Sequence, residues 1–177
     1  GHELWVTDGT PAGTRLVRDI APGQTTSFPK SLAATDNGVL FAADDGVHGI
    51  EAWVSDGTAA GTRLVKNIAP IANRSSSPRY LTPLGNRLVF AANDGTSGTE
   101  LWQTDGTSAG TQRIADIVPG SAGSSPWRFA AAGSLVYFTA TTPSRGAQLW
   151  CTDGTTAGTR LVREINPGPI GTQIENK

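Results

Sequence analysis

The sequence predicts an all-β fold, a β-propeller-type array of four-stranded blades, with an open β-solenoid of sheets as the structural alternative. Three observations carry that expectation. The segment ELWVTDGTPAGTRLVRDI at residues 3–20 returns as EAWVSDGTAAGTRLVKNI, ELWQTDGTSAGTQRIADI and QLWCTDGTTAGTRLVREI. Its tryptophans, Trp5, Trp53, Trp102 and Trp150, stand 48, 49 and 48 residues apart, a period that belongs to propellers and solenoids. Each period also divides at turn signals into four short β-type runs, the content of one blade.

The elements follow in order. Units begin near Gly1, Gly49, Gly98 and Gly146, so the chain opens inside a repeat and is expected to be part of something longer. It supplies the third and fourth strands of one blade and then three whole units, about three and a half blades over residues 1–168. Residues 169–177 read as a tail or a degenerate repeat. The first run of a unit, typified by SPRYLTP, carries small residues such as Ala33, Ala34 and Ala130, which suits the crowded centre of a ring. The second run (VLFAA, RLVFAA, LVYFTA) is almost uncharged and is expected to be covered on both faces. The third carries the tryptophan. The fourth mixes charges, with Arg15, Arg18 and Asp19 in the first copy, and so reads as an exposed outer edge.

Between the third and fourth runs, Asp8, Asp56, Asp105 and Asp153 each precede a glycine. Asp bonds its own backbone two residues on and Gly supplies positive φ, so these are read as structural turn residues. The four tryptophans alternate with Leu4, Ala52, Leu101 and Leu149 and are read as filler between neighbouring blades.

These residues carry a resemblance. The motif reads ELWVTDGT, EAWVSDGT, ELWQTDGT and QLWCTDGT, and it resembles the ELWxxDGT repeat family over essentially the whole chain to about Gly168. The resemblance implies a propeller-like architecture in a large exported or surface protein of bacteria, hence an extracellular setting, and it implies no reaction and no defined ligand.

Positions that vary between units are free for something other than the fold. After the recurring Pro29, Pro78 and Pro126 come Lys30 and Ser31, then Arg79 and Tyr80, then Trp127 and Arg128. At one mouth of a ring, Arg79, Tyr80, Trp127 and Arg128 would suit a glycan or a protein ligand. A solvated loop with an incidental tryptophan is the plainer reading. Asp44, Asp45 and Glu51, and again Asp94 and Glu100, could supply part of a calcium shell. The spacing is not that of an EF-hand, and a plain Asp-Gly turn is preferred, so no cofactor is expected.

Other classes are disfavoured. Net charge is −1 with both signs interspersed, which lacks the footprint of nucleic-acid binding. No apolar stretch approaches the length of a membrane-spanning helix. Cys151 is the sole cysteine, so it makes no internal disulfide and reads as a small buried hydrophobe. His2 and His48 align with nothing, and no nucleophile elbow or zinc-protease motif occurs, so a non-catalytic module is expected. Open edges at both ends lead to a further expectation, that the chain associates with itself or with further blades to close a ring.

Overall fold

The computed structural model describes residues 1–36, 38–71 and 74–165. The tail at 169–177, and the point near Gly168 where the repeat is expected to lapse, lie outside the described residues. Every regular element among the described residues is a strand: β1 (Leu4–Val6), β2 (Arg15–Arg18), β3 (Lys30–Thr35), β4 (Gly38–Asp44), β5 (Ile50–Ser55), β6 (Arg63–Lys66), β7 (Arg79–Leu84), β8 (Arg87–Asn93), β9 (Thr99–Thr104), β10 (Gln112–Ala115), β11 (Trp127–Ala132), β12 (Leu135–Thr142), β13 (Gly146–Thr152) and β14 (Arg160–Arg163). Among the described residues no helix is long and apolar enough to cross a membrane.

The strands form four antiparallel sheets in chain order. Sheet 1 holds β1 and β2, sheet 2 runs β3 to β6, sheet 3 runs β7 to β10 and sheet 4 runs β11 to β14, each strand beside the next in sequence. The fold is therefore the expected two strands followed by three four-stranded units. The sheets do not close into a ring. β3 lies against β7 and β7 against β11, so the sheets converge at their first strands.

Alternation along the strands decides the packing, because successive side chains of a strand point to opposite faces. Leu4 and Val17 of sheet 1 meet Phe41, Ala43 and Trp53 of sheet 2. On the other face of sheet 2, Leu40, Ala52 and Val65 meet Leu88, Phe90 and Trp102 of sheet 3. Val89, Leu101 and Ile114 then meet Val136 and Phe138 of sheet 4, with Trp150 packed against them. The core is thus three slabs, one per junction; the second strands of sheets 2 and 3 are buried on both faces, whereas β12 of sheet 4 leaves Tyr137 half-buried and Thr141 exposed on its outer face.

The tryptophans follow the junctions. Trp53 and Trp102 are buried, whereas Trp5 is 59% exposed. The indoles of Trp53, Trp102 and Trp150 face the preceding sheet, a contact that Trp5 lacks among the described residues.

Candidate functional site

An anchored serine, Ser27, Ser76 or Ser124, stands three residues before the first strand of each full sheet. In sheet 2 the Glu51 carboxylate accepts from the amides of Ile68, Ala69 and Ser76 and from Ser76 Oγ. In sheet 3 Glu100 does the same with Ile117, Val118, Ser124 and Ser124 Oγ. Glu3 accepts from Ile20, Ser27 and Ser27 Oγ. The carboxylate thus stitches the connection between two sheets onto a third strand. Burial pushes Glu51 and Glu100 above the ordinary 4.5, against the opposing pull of these donors. In sheet 4 the position holds Gln148, whose Oε1 accepts from the Ile165 amide and whose Nε2 donates to the Arg145 carbonyl.

Past the serine the chain makes a repeated irregularity. Arg79 pairs with Ala91, but the next pairing is Thr82 with Val89; Trp127 and Lys30 begin bulges of the same kind. The bulges hold Ser31, Tyr80 and Arg128 at φ of 55°, 59° and 54°. Non-glycine residues there store backbone strain. The strain recurs in every full sheet and belongs to the fold, while the side chain placed on it changes from Ser to Tyr to Arg.

What the bulges present is an aromatic and cationic surface across sheets 3 and 4. Tyr80 stacks on Phe129 at 5.7 Å between centroids, and Phe129 stacks on Phe138 at 5.4 Å. The Arg128 guanidinium lies 4.1 Å from the centroid of the Trp127 ring, within cation–π range. Arg128 Nη1 is buried with no acceptor among the described residues. Tyr80 is 45% exposed, and Arg79 is exposed beside it. The structure joins Tyr80 to Phe129 and Trp127 to Arg128. Phe129 is a member that sequence reasoning missed, because its position carries Leu32 and Leu81 in the other units.

The acidic loops do different work. Asp44 Oδ1 accepts from the Gly46 amide. Asp45 accepts from the Val47 and His48 amides and lies 2.7 Å from the His48 ring. Asp94 accepts from Thr96 and Ser97 and faces Arg113 at 3.6 Å. For Asp45 and Asp94 burial pushes upward, yet these donors hold both carboxyls below 3.8. Glu51 and Glu100 turn away to the backbone amides, and no group of three or more acidic, His or Cys side chains among the described residues could hold a metal ion.

At the opposite end of the sheets stand the Asp-Gly turns. Asp56 Oδ1 accepts from the Thr58 hydroxyl and amide, which lower its pKa below 3.8 in that order; Asp8, Asp105 and Asp153 make the same bonds with the same effect. Ser55 Oγ and Thr62 Oγ1 close the turn at 2.7 Å. A Cβ on Gly61 would overlap the Asp56 carboxylate, and Gly13, Gly110 and Gly158 are held in the same way. The second glycine of the motif therefore makes room for the aspartate of the first pair. A cleft of about 860 Å³ opens between sheets 2 and 3 at this end, with Asp36, Asp56, Arg63, Arg87 and Asp105 on its walls.

The charges of the fourth strands do more than guard an edge. Arg15 Nη2 donates to the Gly57 carbonyl at 3.0 Å, and Arg63 Nη2 to that of Gly106 at 3.1 Å. Arg18 and Lys66 reach the Thr62 and Thr111 carbonyls at 2.5 and 2.8 Å. Each cation binds the turn of the following sheet. The chain matches no family model, and no curated protein matches it.

Proposed function

We propose that the chain is a non-catalytic, extracellular binding and scaffolding module, with its ligand engaged where the first strands of sheets 3 and 4 begin. One observation carries this reading. Tyr80 and Arg128 sit on bulges that lift them from the ladder, backed by Phe129 and Trp127. Aromatic rings beside guanidinium groups form the chemistry that dominates protein hot spots, and such rings also stack on the apolar faces of sugars. The extracellular setting rests on the resemblance to the ELWxxDGT repeat family.

A glycan array, with a parallel panel of purified surface proteins, tests it. A ligand that binds the wild type and is lost in Tyr80→Ala at unchanged melting temperature supports the reading. Absence of any ligand on both panels favours the second reading, a purely structural array. The cation bridges from Arg15, Arg18, Arg63 and Lys66 to following sheets favour that second reading, since they serve stacking alone.

A further inference from the structure

The junctions between sheets 2 and 3 and between sheets 3 and 4 follow one design, yet at the Asp-Gly turn end one is filled and the other open. Between sheets 3 and 4, two side chains of sheet 3 close the gap. Leu84 is the last residue of β7 and Gln103 the fifth of β9. They stand 3.3 and 3.4 Å from the place a Cβ would take on Gly154 of the next turn, and Gly154 is buried. Between sheets 2 and 3 the same places in β3 and β5 hold the shorter Thr35 and Val54. Around Gly106, the counterpart of Gly154, nothing comes nearer than a Val54 methyl at 4.0 Å. The cleft of about 860 Å³ lies there, within the size range of small-molecule sites. Its opening thus follows from two differences between repeats, at a junction with a full sheet on either side.

The lining has two characters. The floor is apolar: Leu40, Val54 and Leu88 belong to the core slab between the two sheets, and Pro83 stands exposed beside them. The walls carry hydrogen-bonding groups of both kinds. Asp56 and Asp105 each give Oδ1 to their own turn, leaving Oδ2 without a hydrogen-bond partner among the described residues. Arg63 donates from Nη2 to the Gly106 carbonyl at 3.1 Å, and a guanidinium carries more N–H groups than that bond uses. Asn86 adds an exposed amide, donor and acceptor at once.

This mixture selects a chemistry. An ammonium group entering the cleft meets the like charges of Arg63 and Arg87, and an anionic ligand meets those of Asp36, Asp56 and Asp105. A hydroxyl, in contrast, donates to a carboxylate while it accepts from a guanidinium. A sugar ring adds C–H faces that suit an apolar floor. We propose that the cleft between sheets 2 and 3 is a binding site for a neutral sugar, its hydroxyls linking Asp56 or Asp105 to Arg63 and its C–H face lying on Val54 and Pro83. The site stands apart from the ligand reading above, since it uses neither Tyr80 nor Arg128 and lies at the opposite end of the sheets.

Glucose, galactose, mannose and N-acetylglucosamine, titrated one at a time and followed through amide chemical shifts, test the proposal. At least one is expected to bind saturably and to move the amides of Thr35, Val54 and Gly106, with those of Tyr80 and Arg128 unmoved. Thr35→Leu combined with Val54→Gln plugs the cleft with the residues that close the next junction. This variant is expected to fold as wild type does and to bind the sugar at least about tenfold more weakly. Should it lose its strand signal in circular dichroism, Thr35→Leu alone, at an exposed position, takes its place. Tyr80→Ala is expected to leave this binding unchanged, which separates it from a ligand at the bulges. The proposal is overturned if none of the four sugars moves the cleft amides, or if a folded, plugged variant binds as tightly as wild type. It is equally overturned if putrescine moves those amides and no sugar does, since the cleft then serves a cation.

Discussion

Ser76 Oγ donates to Glu51 Oε2 at 2.5 Å, joining two residues 25 positions apart in sequence. The bond holds the start of strand β7 against strand β5 of the preceding sheet, and the same carboxylate binds three amides on the way. One buried side chain thus sets where the next sheet begins, and with it the bulge that carries Tyr80. Loss of the carboxylate leaves several buried donors without an acceptor, each costing about 1–3 kcal/mol. Glu51→Ala is expected to destabilise the chain by at least about 3 kcal/mol in urea unfolding. Glu51→Gln keeps one acceptor, as Gln148 does in sheet 4, and is expected to cost less.

The same residues make a pH prediction with a definite sign. Burial raises the folded-state pKa of Glu51 above 4.5, so the folded form binds its proton more tightly than the unfolded chain does. Stability from this group is fully present below 4.5 and is lost as pH rises through the folded value. The difference in unfolding free energy between wild type and Glu51→Gln should therefore shift in favour of wild type as pH falls from neutral towards 4.5, then level off. The turn aspartates act oppositely. With folded values below 3.8, they contribute above 3.8 and lose that contribution in stronger acid, so Asp56→Asn should flatten the acid limb of the stability curve.

Gly61 and Asp56 form a coupled pair. Gly61→Ala forces the new methyl into the Asp56 carboxylate, and overpacking of this kind typically costs about 1–3 kcal/mol. In an Asp56→Ala background the obstruction is gone and the cost of Gly61→Ala should shrink. A double-mutant cycle by thermal unfolding measures the coupling; additive effects would refute the steric account.

Two tryptophans with the same local sequence should respond differently. Trp53→Ala removes a side chain buried in the first junction and is expected to cost about 3–5 kcal/mol. Trp5→Ala removes a mostly exposed one and should change the unfolding free energy of the monomer by roughly 0.5 kcal/mol or less.

Calcium should leave the melting temperature unchanged. Asp44, Asp45 and Asp94 already accept from their own loops, and Glu51 and Glu100 are consumed by amides. Scanning calorimetry with excess calcium and with chelator checks this, and a reproducible upward shift with the ion would reinstate the acidic loops as a site.

Much of this architecture was legible because the chain repeats itself. The strand count, the sheet order and the turn positions follow from aligning four copies, since what stays constant across copies serves the blade. The role of Glu51 was not legible, because its partners are amides 17 to 25 residues away, and backbone donors leave no mark on composition. The recurrence of Ser27, Ser76 and Ser124, 24, 25 and 24 residues after Glu3, Glu51 and Glu100, was the available signal. Arg15 and Arg63 read as edge protection because an alternating charged strand looks the same whether its cations face water or a neighbour's carbonyl. At the bulges the sequence marked Tyr80 and Arg128 as variable, but the pairing of Tyr80 with Phe129 depends on how two sheets converge, which no single repeat encodes.

The three slabs of core have a mechanical consequence. Sheets 2 and 3 are clamped from both sides, while sheets 1 and 4 each lean on one companion. Nearest-neighbour arrays of this kind distribute cohesion by position, so amide protons in the middle strands β8 and β9 should be the slowest to trade with deuterium. Thermal fraying is expected to travel inward from the termini, leaving a rigid waist between two compliant shoulders.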